Sequence, residues 1–500
     1  MSNFFTIFRM IFFFYFSILK MSYHKDKMES ILLKDKETLQ KLLTISKDKI
    51  KEINDYIISS TLLNKKKTLI SLLRIFNVVV QCRPKSLTFI KTLIESISDK
   101  IQLFLKSEEL YLIFNHMSII VFLHDMDLID FETIYNYSHR SDEVFAFFYY
   151  SIKLHDLSYF RTRISLGRSK IMKLISKDRY LPDSYYHFQY CLEGVNHSEI
   201  AKIIRDDDIL SFQAIISQTN LPLNSEIPFS IYESNDLIKR KANNTQLIEY
   251  SAFYGSIHIF KFLIMQMEKL PDNISIFAVA GGCYEIIHIL EAHKLLFDEK
   301  CVATAVEFHH NDIYDYLLTK YDITKIVSNS FFPSILRYNI DIFLNSINNF
   351  DIEERDIEGW NAIHCAAISD RINMIKFLIK FSQNRIDLHS LTPLGNNPFH
   401  FALQKGNPDI VEFFIKHCSI DITEVDQFDC MPLFTAVREG HLMITKMLTK
   451  MKNCDINHKN YRDETVLILA ARHGYFDIVR YLLTLKDIDI HHKNLGKIFT

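Results

Sequence analysis

The residues that could do chemistry come in small, separate groups. Asp206, Asp207 and Asp208 form a run of three carboxylates, the ligand type a hard divalent cation takes. His309-His310 and His491-His492 are paired imidazoles, and His364 and His400 stand singly in apolar segments. Gly281-Gly282 could begin a phosphate loop, and Lys65–Lys67 is a cationic run. None of these groups has the spacing its chemistry needs. Helical metal-binding histidines stand four residues apart, whereas these pairs are adjacent. Gly281-Gly282 has no third glycine. No P-loop, G-x-G-x-x-G, H-E-x-x-H or kinase-type H-R-D and D-F-G pair occurs. The carboxylate run therefore reads as a polar turn whose Asp208 caps the next helix, and the histidines as turn, loop and helix-start residues. The lysines read as a solvated face. The expectation is no catalytic residue, no metal, no cofactor and no enzyme.

The eight cysteines, from Cys82 to Cys454, include no C-x-x-C and are irregularly spaced. A disulfide framework looks different, so they read as reduced, buried thiols in an intracellular protein, cytoplasmic or else nuclear. Cys430 falls at a loop tip, where exposure is expected.

The elements that must position these groups are helices. Gly 11 and Pro 10 make 21 of 500 residues, against a usual share of about 12%. A large β-sandwich, a propeller or a Gly-rich loop enzyme is hard to build from so few turn residues. Hydrophobic residues are 48% and charged residues 24%, which suits a chain that buries a core. Lys+Arg 58 against Asp+Glu 60 leaves a net charge of −2, which points to neither nucleic acid nor an anionic membrane. Phe 40 and Tyr 24 beside Trp 1 reflect A/T-rich codons rather than a platform for stacking bases. At roughly 100–200 residues per domain, the length allows a few domains or one long array.

Internal periods decide between them. Four segments align: Asn361–Ile379, Asn397–Ile415, Met431–Thr449 and Thr465–Leu483. Their alanines Ala366, Ala402, Ala436 and Ala470 are 36, 34 and 34 residues apart, and Asp370, Gly406, Gly440 and Gly474 follow four residues later. Asn361, Asn397 and Thr465 are N-caps, and Pro398 and Pro432 occupy the first helical position. The glycines end the first helix in a left-handed turn. A second helix follows with apolar residues at i, i+3, i+4 spacing, such as Ile410, Phe413 and Phe414. Upstream the pattern shortens. Turn slots at Gly255, Gly282, His309, Tyr338 and Asp370 are 27, 27, 29 and 32 residues apart. That is room for bare helix pairs. Glu199–Ile216 reads as one more.

These segments resemble the ankyrin repeat, D-x-x-G-x-T-P-L-H-x-A-A-x-x-G-H-x-x-I-V-x-x-L-L. Gly359, His364, Ala366 and Ala367 match in the first copy, and Pro398, His400, Ala402 and Gly406 in the second. Pro432, Leu433, Ala436, Gly440 and His441 match in the third, and Thr465, Ala470, Ala471 and Gly474 in the fourth. Asp370 departs at the turn glycine and Asp429 and Asp463 at the tip glycine. The whole resembles the large ankyrin-repeat families of some protists, with a helical N-terminal region before degenerate and then regular repeats. The resemblance implies an all-α helical solenoid, with short β-hairpin loops in its C-terminal third. Residues 21–190 are read as a helical N-terminal domain and 191–351 as degenerate helix pairs. Residues 352–494 are read as four regular repeats (356–389, 392–425, 426–459 and 460–493), and 495–500 as the start of a further, truncated one. Residues 1–20 are read as a hydrophobic leader or a gene-model extension before Met21. Residues 4–19, too short to span a bilayer at 1.5 Å per residue, would be an anchor only if retained.

The resemblance further implies non-catalytic binding of a protein partner on a concave face, by a monomer. Carried over position by position, the tips offer Ile357, Glu358, Trp360, Pro393, Leu394, Asn396, Gln427, Phe428, Cys430, Tyr461, Arg462 and Glu464. The helix faces add Gln404, Lys405, Arg438, Glu439, Arg472 and His473. Trp360, Phe428 and Tyr461 either anchor a partner or brace neighbouring tips. A substrate adaptor of a larger machine such as a ubiquitin ligase, or an enzyme with an unrecognised site in 21–190, are the other classes.

Overall fold

The computed structural model describes residues 30–166, 172, 182, 184–240, 245–321, 327–382, 385–418, 420–423, 425 and 428–493. The expectations for residues 1–20, Met21, Gln427 and 495–500 lie outside them. The described residues form helices joined by turns and no strand, with one isolated antiparallel bridge between Glu226 and Gln246. The chain divides into two compact units, residues 39–333 and residues 1–38 with 334–500.

In the unit of residues 39–333, the repeat begins as helix pairs. Glu199–Arg205 pairs with Ile209–Thr219, Leu247–Tyr254 with Ile257–Gln266, Ile274–Gly281 with Tyr284–Ala292, and Glu299–Glu307 with Asn311–Tyr321. The first helices stack in succession, each burying an apolar set such as Ile274, Phe277 and Ala278. They approach so closely that a Cβ on Gly281 would meet the carbonyl of Ala252 and, at 2.7 Å, that of Phe253. Asp207, Gly255, Gly282 and His309 all adopt positive φ at the turns. The slots read from sequence are thus left-handed even where the residue is not glycine.

The N-terminal helices of this unit, including Ile50–Ser59, Lys66–Cys82 and Leu87–Ser96, are not simple repeats. One segment explains how they hold the pairs. Arg83 donates to the Phe308 carbonyl at 2.6 Å, Lys85 to that of Tyr254 at 3.2 Å and Lys91 to that of Leu192 at 2.5 Å. Each carbonyl lies at a helix C-terminus, where the macrodipole is negative and the last carbonyls lack helical partners. The cost is burial of cations. Desolvation lowers the Arg83 guanidinium and brings the Lys91 ammonium down to about 8.

In the other unit, Ile340–Ser346 precedes four full pairs. The first helices are Ala362–Ile368, Pro398–Lys405, Pro432–Arg438 and Val466–Arg472. The second are Ile372–Phe381, Pro408–His417, Leu442–Leu448 and Phe476–Leu482. Ala366, Ala402, Ala436 and Ala470 are fully buried where first helices stack. Asn361 and Asn397 cap as expected, accepting from His364 N at 3.1 Å and His400 N at 3.0 Å. His364 Nδ1 accepts in return from Asn361 N at 3.1 Å, and its Nε2 donates to Ser390 O at 2.9 Å in the next repeat. Both imidazoles are structural.

The residue after several of the turns ties its repeat to the one before. His441 Nε2 donates to Gln404 O at 3.0 Å and Tyr475 OH to Arg438 O at 2.9 Å. In the other unit, His310 Nε2 does the same to Ala280 O at 3.1 Å. Tyr338, at φ 59, is a bulky residue in a left-handed turn. Its hydroxyl donates to buried Asp35 at 2.5 Å and the Arg371 guanidinium lies 4.6 Å over its ring, which offsets the strain. Asp35 also accepts from Asn373 at 3.1 Å, so a helix of the N-terminal region helps to hold this unit.

Candidate protein-binding face

The face begins at the loop tips, and these are turns rather than β-hairpins. Asp356 N donates to Trp360 O at 2.9 Å, Thr392 N to Asn396 O at 3.0 Å and Asn460 N to Glu464 O at 3.1 Å. Each bond closes a five-residue loop, which is too short for a strand ladder. Side chains complete the loops. Asp356 Oδ1 accepts from the Glu358 and Trp360 amides, and Asn460 Oδ1 from those of Arg462 and Glu464. Gly359, Gly395, Asp429 and Asp463 supply the positive φ.

Consecutive tips are tied together. Arg355, absent from the sequence-derived set, donates to Leu391 O at 2.7 Å and Ser390 Oγ at 2.5 Å. Tyr461 N donates to Phe428 O at 3.1 Å, and His458 Nε2 to Asp429 O at 2.9 Å. His492 Nε2 donates to Asp463 O at 2.8 Å. Long-range ties of this kind leave no spacing signal, so Arg355 reads in sequence only as a charged loop residue.

The three tip aromatics differ. Trp360 is half-buried, with its ring 4.8 Å from that of Phe401, and acts as a brace. Phe428 and Tyr461 pair at 5.4 Å yet remain 44% and 52% exposed. Ile357, Glu358, Pro393, Leu394 and Lys405 are exposed, and Asn396 and Gln404 are intermediate. Cys430 is a correction: the thiol expected at an exposed tip is buried, within 3.5 Å of Phe428 O. Glu464 is also internal, 3% exposed, and its carboxylate meets Arg472 Nη1 at 2.8 Å and Asn460 Nδ2 at 3.2 Å. His473 stacks on Tyr475, and burial lowers its pKa.

Seven members of the sequence-derived set come together in one place. Phe428, Cys430, Arg438, Tyr461, Arg462, Glu464 and Arg472 border a cleft of about 190 Å³. Phe434, Asn460 and Leu469 complete it. The residues of the first two tips and His473 are not part of it, and Gln427 lies outside the described residues.

The groups that could have done chemistry take other places. Asp208 caps Ile209–Thr219 through Ser211 N at 3.1 Å. Asp207 accepts from His258 N at 3.1 Å and Ile259 N at 3.0 Å in the next pair. His187 and Cys191 sit one helical turn apart with Nε2 and Sγ separated by 3.6 Å, which resembles a base and a nucleophile. But Cys191 is fully buried, and burial raises its thiol, the opposite of what an attacking thiolate needs. Among the described residues, no group of three or more His, Cys, Asp or Glu could hold a metal ion. No helix among them is long and apolar enough to cross a membrane.

Comparison with known families agrees with this architecture. A family model described as ankyrin repeats (3 copies) matches residues 334–426 and 399–494. A second, a domain of unknown function (DUF3447), matches residues 266–346, across the short helix pairs. No curated protein matches the chain. The stacked helix pairs, their left-handed turns and the family match together show that residues 334–494 of this chain are ankyrin repeats.

Proposed function

We propose that this chain is a non-catalytic interaction scaffold. Its partner seats on the tips and first-helix ends of the four regular repeats within residues 352–494. Protein binding is the typical role of ankyrin repeats. The observation that carries the reading is the convergence at the third and fourth tips. Phe428 and Tyr461 stay exposed beside a cleft lined by three arginines. Exposed aromatics beside arginines are the residue types that dominate binding hot spots.

The test is proximity labelling with the full chain and with a Phe428→Ala/Tyr461→Ala variant. A genuine partner is captured by the first and lost from the second, with binding weakened by about 2 kcal/mol. The variant must remain folded by circular dichroism, with at most a small shift of its melting curve from the lost Phe428–Tyr461 contact. Partners retained equally by both chains would mean that binding occurs elsewhere and that the aromatics only brace the tips.

A further inference from the structure

We infer that the cleft between the third and fourth regular repeats binds an acidic peptide segment, one in which an apolar side chain is flanked by carboxylates. This rests on the interaction-face reading above and specifies the partner's chemistry.

The size sets the first limit. A cleft of about 190 Å³ takes a single side chain, not a folded element. Its apolar part comes from Phe434 and Leu469, which are 1% and 4% exposed, with the Phe428–Tyr461 pair beside them. That suits one apolar residue.

Charge sets the second. Arg438, Arg462 and Arg472 border the cleft, and with the carboxylates Glu464 and Glu439 beside them three positive charges less two negative leave a surplus of one. The Glu464 charge is spent internally, buried against Arg472 and Asn460. Glu439, outside the lining, engages Arg438 Nε at 3.2 Å. Arg462 is exposed, with no carboxylate within 4 Å among the described residues and its guanidinium 5.1 Å over the Tyr461 ring. A guanidinium carries five N–H donors and matches a carboxylate in a two-bond fork, so the internal contacts leave donors over.

The three arginines also stand on separate elements. Arg438 ends the helix Pro432–Arg438, Arg472 ends Val466–Arg472, and Arg462 lies in the tip. Charges so spread complement several carboxylates along an extended chain better than one terminal carboxylate. A nucleic acid fits less well. Its backbone needs a stripe of cations over several phosphates, whereas the chain's net charge is −2 and Glu464 and Glu439 stand among these arginines.

The test pans a random dodecapeptide library on the full-length chain. The recovered peptides are then measured by fluorescence anisotropy against wild type, Arg438→Glu/Arg462→Glu and Phe428→Ala/Tyr461→Ala. A poly-uridine oligonucleotide is measured in parallel. Both arginines have exposed or partly exposed side chains and leave the Arg472–Glu464 pair intact, and circular dichroism checks each fold. The expected result is enrichment of Asp or Glu beside apolar residues. Binding should weaken about tenfold or more in the charge-reversed variant and fall with added salt. Peptides lost from the aromatic variant but showing no acidic enrichment would overturn this inference and leave the interaction-face reading standing. No recovered peptide sensitive to either variant would count against both. Tighter binding of the oligonucleotide, lost in the arginine variant, would overturn the peptide assignment in favour of RNA.

Discussion

Gly406→Ala tests the repeat geometry where two requirements meet. The residue sits at φ +78, and a Cβ there would stand 2.6 Å from His441 Nε2, with other ring atoms closer. Two costs follow. The left-handed conformation costs a residue with a Cβ about 1–2 kcal/mol. The imidazole must also move, which breaks the His441–Gln404 hydrogen bond, worth about 1 kcal/mol, and disturbs packing at a nearly buried site. The sum is about 3 kcal/mol, or about 10 °C in melting temperature for a unit of this size. Urea unfolding can be followed by circular dichroism and by the fluorescence of Trp360, the only tryptophan. The decisive comparison is the same substitution in a His441→Ala background. There the clash is gone, and the cost should fall to the left-handed term alone, about 1–2 kcal/mol. Equal costs in both backgrounds would refute the steric part of the reasoning. A cost near zero in either would refute the left-handed part.

Three further outcomes are expected. Trp360→Ala should lower stability by about 1–2 kcal/mol because its ring braces Phe401, whereas exposed Tyr461→Ala should cost about 0.5 kcal/mol; equal shifts in the two melting curves would contradict this division. Burial holds the His364 imidazole down to about 4, so the unfolded chain takes a proton below about 6.5 while the folded one does not. Stability should therefore fall as pH drops from about 6.5 to about 4, and His364→Gln should reduce that slope by up to about 1.4 kcal/mol per pH unit; an unchanged slope in urea midpoints would count against it. Burial alone would raise the Glu291 carboxyl, but hydrogen bonds from Lys320, His288, Tyr316 and Tyr321 outweigh it and bring it to about 2. Its contribution is present above the unfolded value of about 4.3 and is lost as pH falls towards 2. The stability difference between wild type and Glu291→Gln should shrink over that range, and a constant difference would exclude the network as its source.

What the sequence by itself determined is the periodic part of this protein. Turn slots at 255, 282, 309, 338, 370, 406, 440 and 474 could be read because each repeat must reverse the chain at a fixed distance from its neighbour. The spacing survived where His309 and Tyr338 replaced glycine, and all eight positions have positive φ. N-caps and first-helix alanines were legible for the same reason, since each acts within a few residues or at a repeating contact. Only the tertiary structure decided the rest. Asp35 meets Tyr338 and Asn373 across some three hundred residues, and Arg83, Lys85 and Lys91 reach helix ends far along the chain. Such contacts carry no period. The tips looked alike in sequence, yet their side chains separate into a brace at Trp360, a buried Cys430 and Glu464, and an exposed aromatic pair. The exposure of a tip residue depends on how the next repeat closes over it. The arginine cleft exists because the turn geometry brings the ends of two first helices beside two tips. That juxtaposition belongs to the stacking of repeats, not to any one of them.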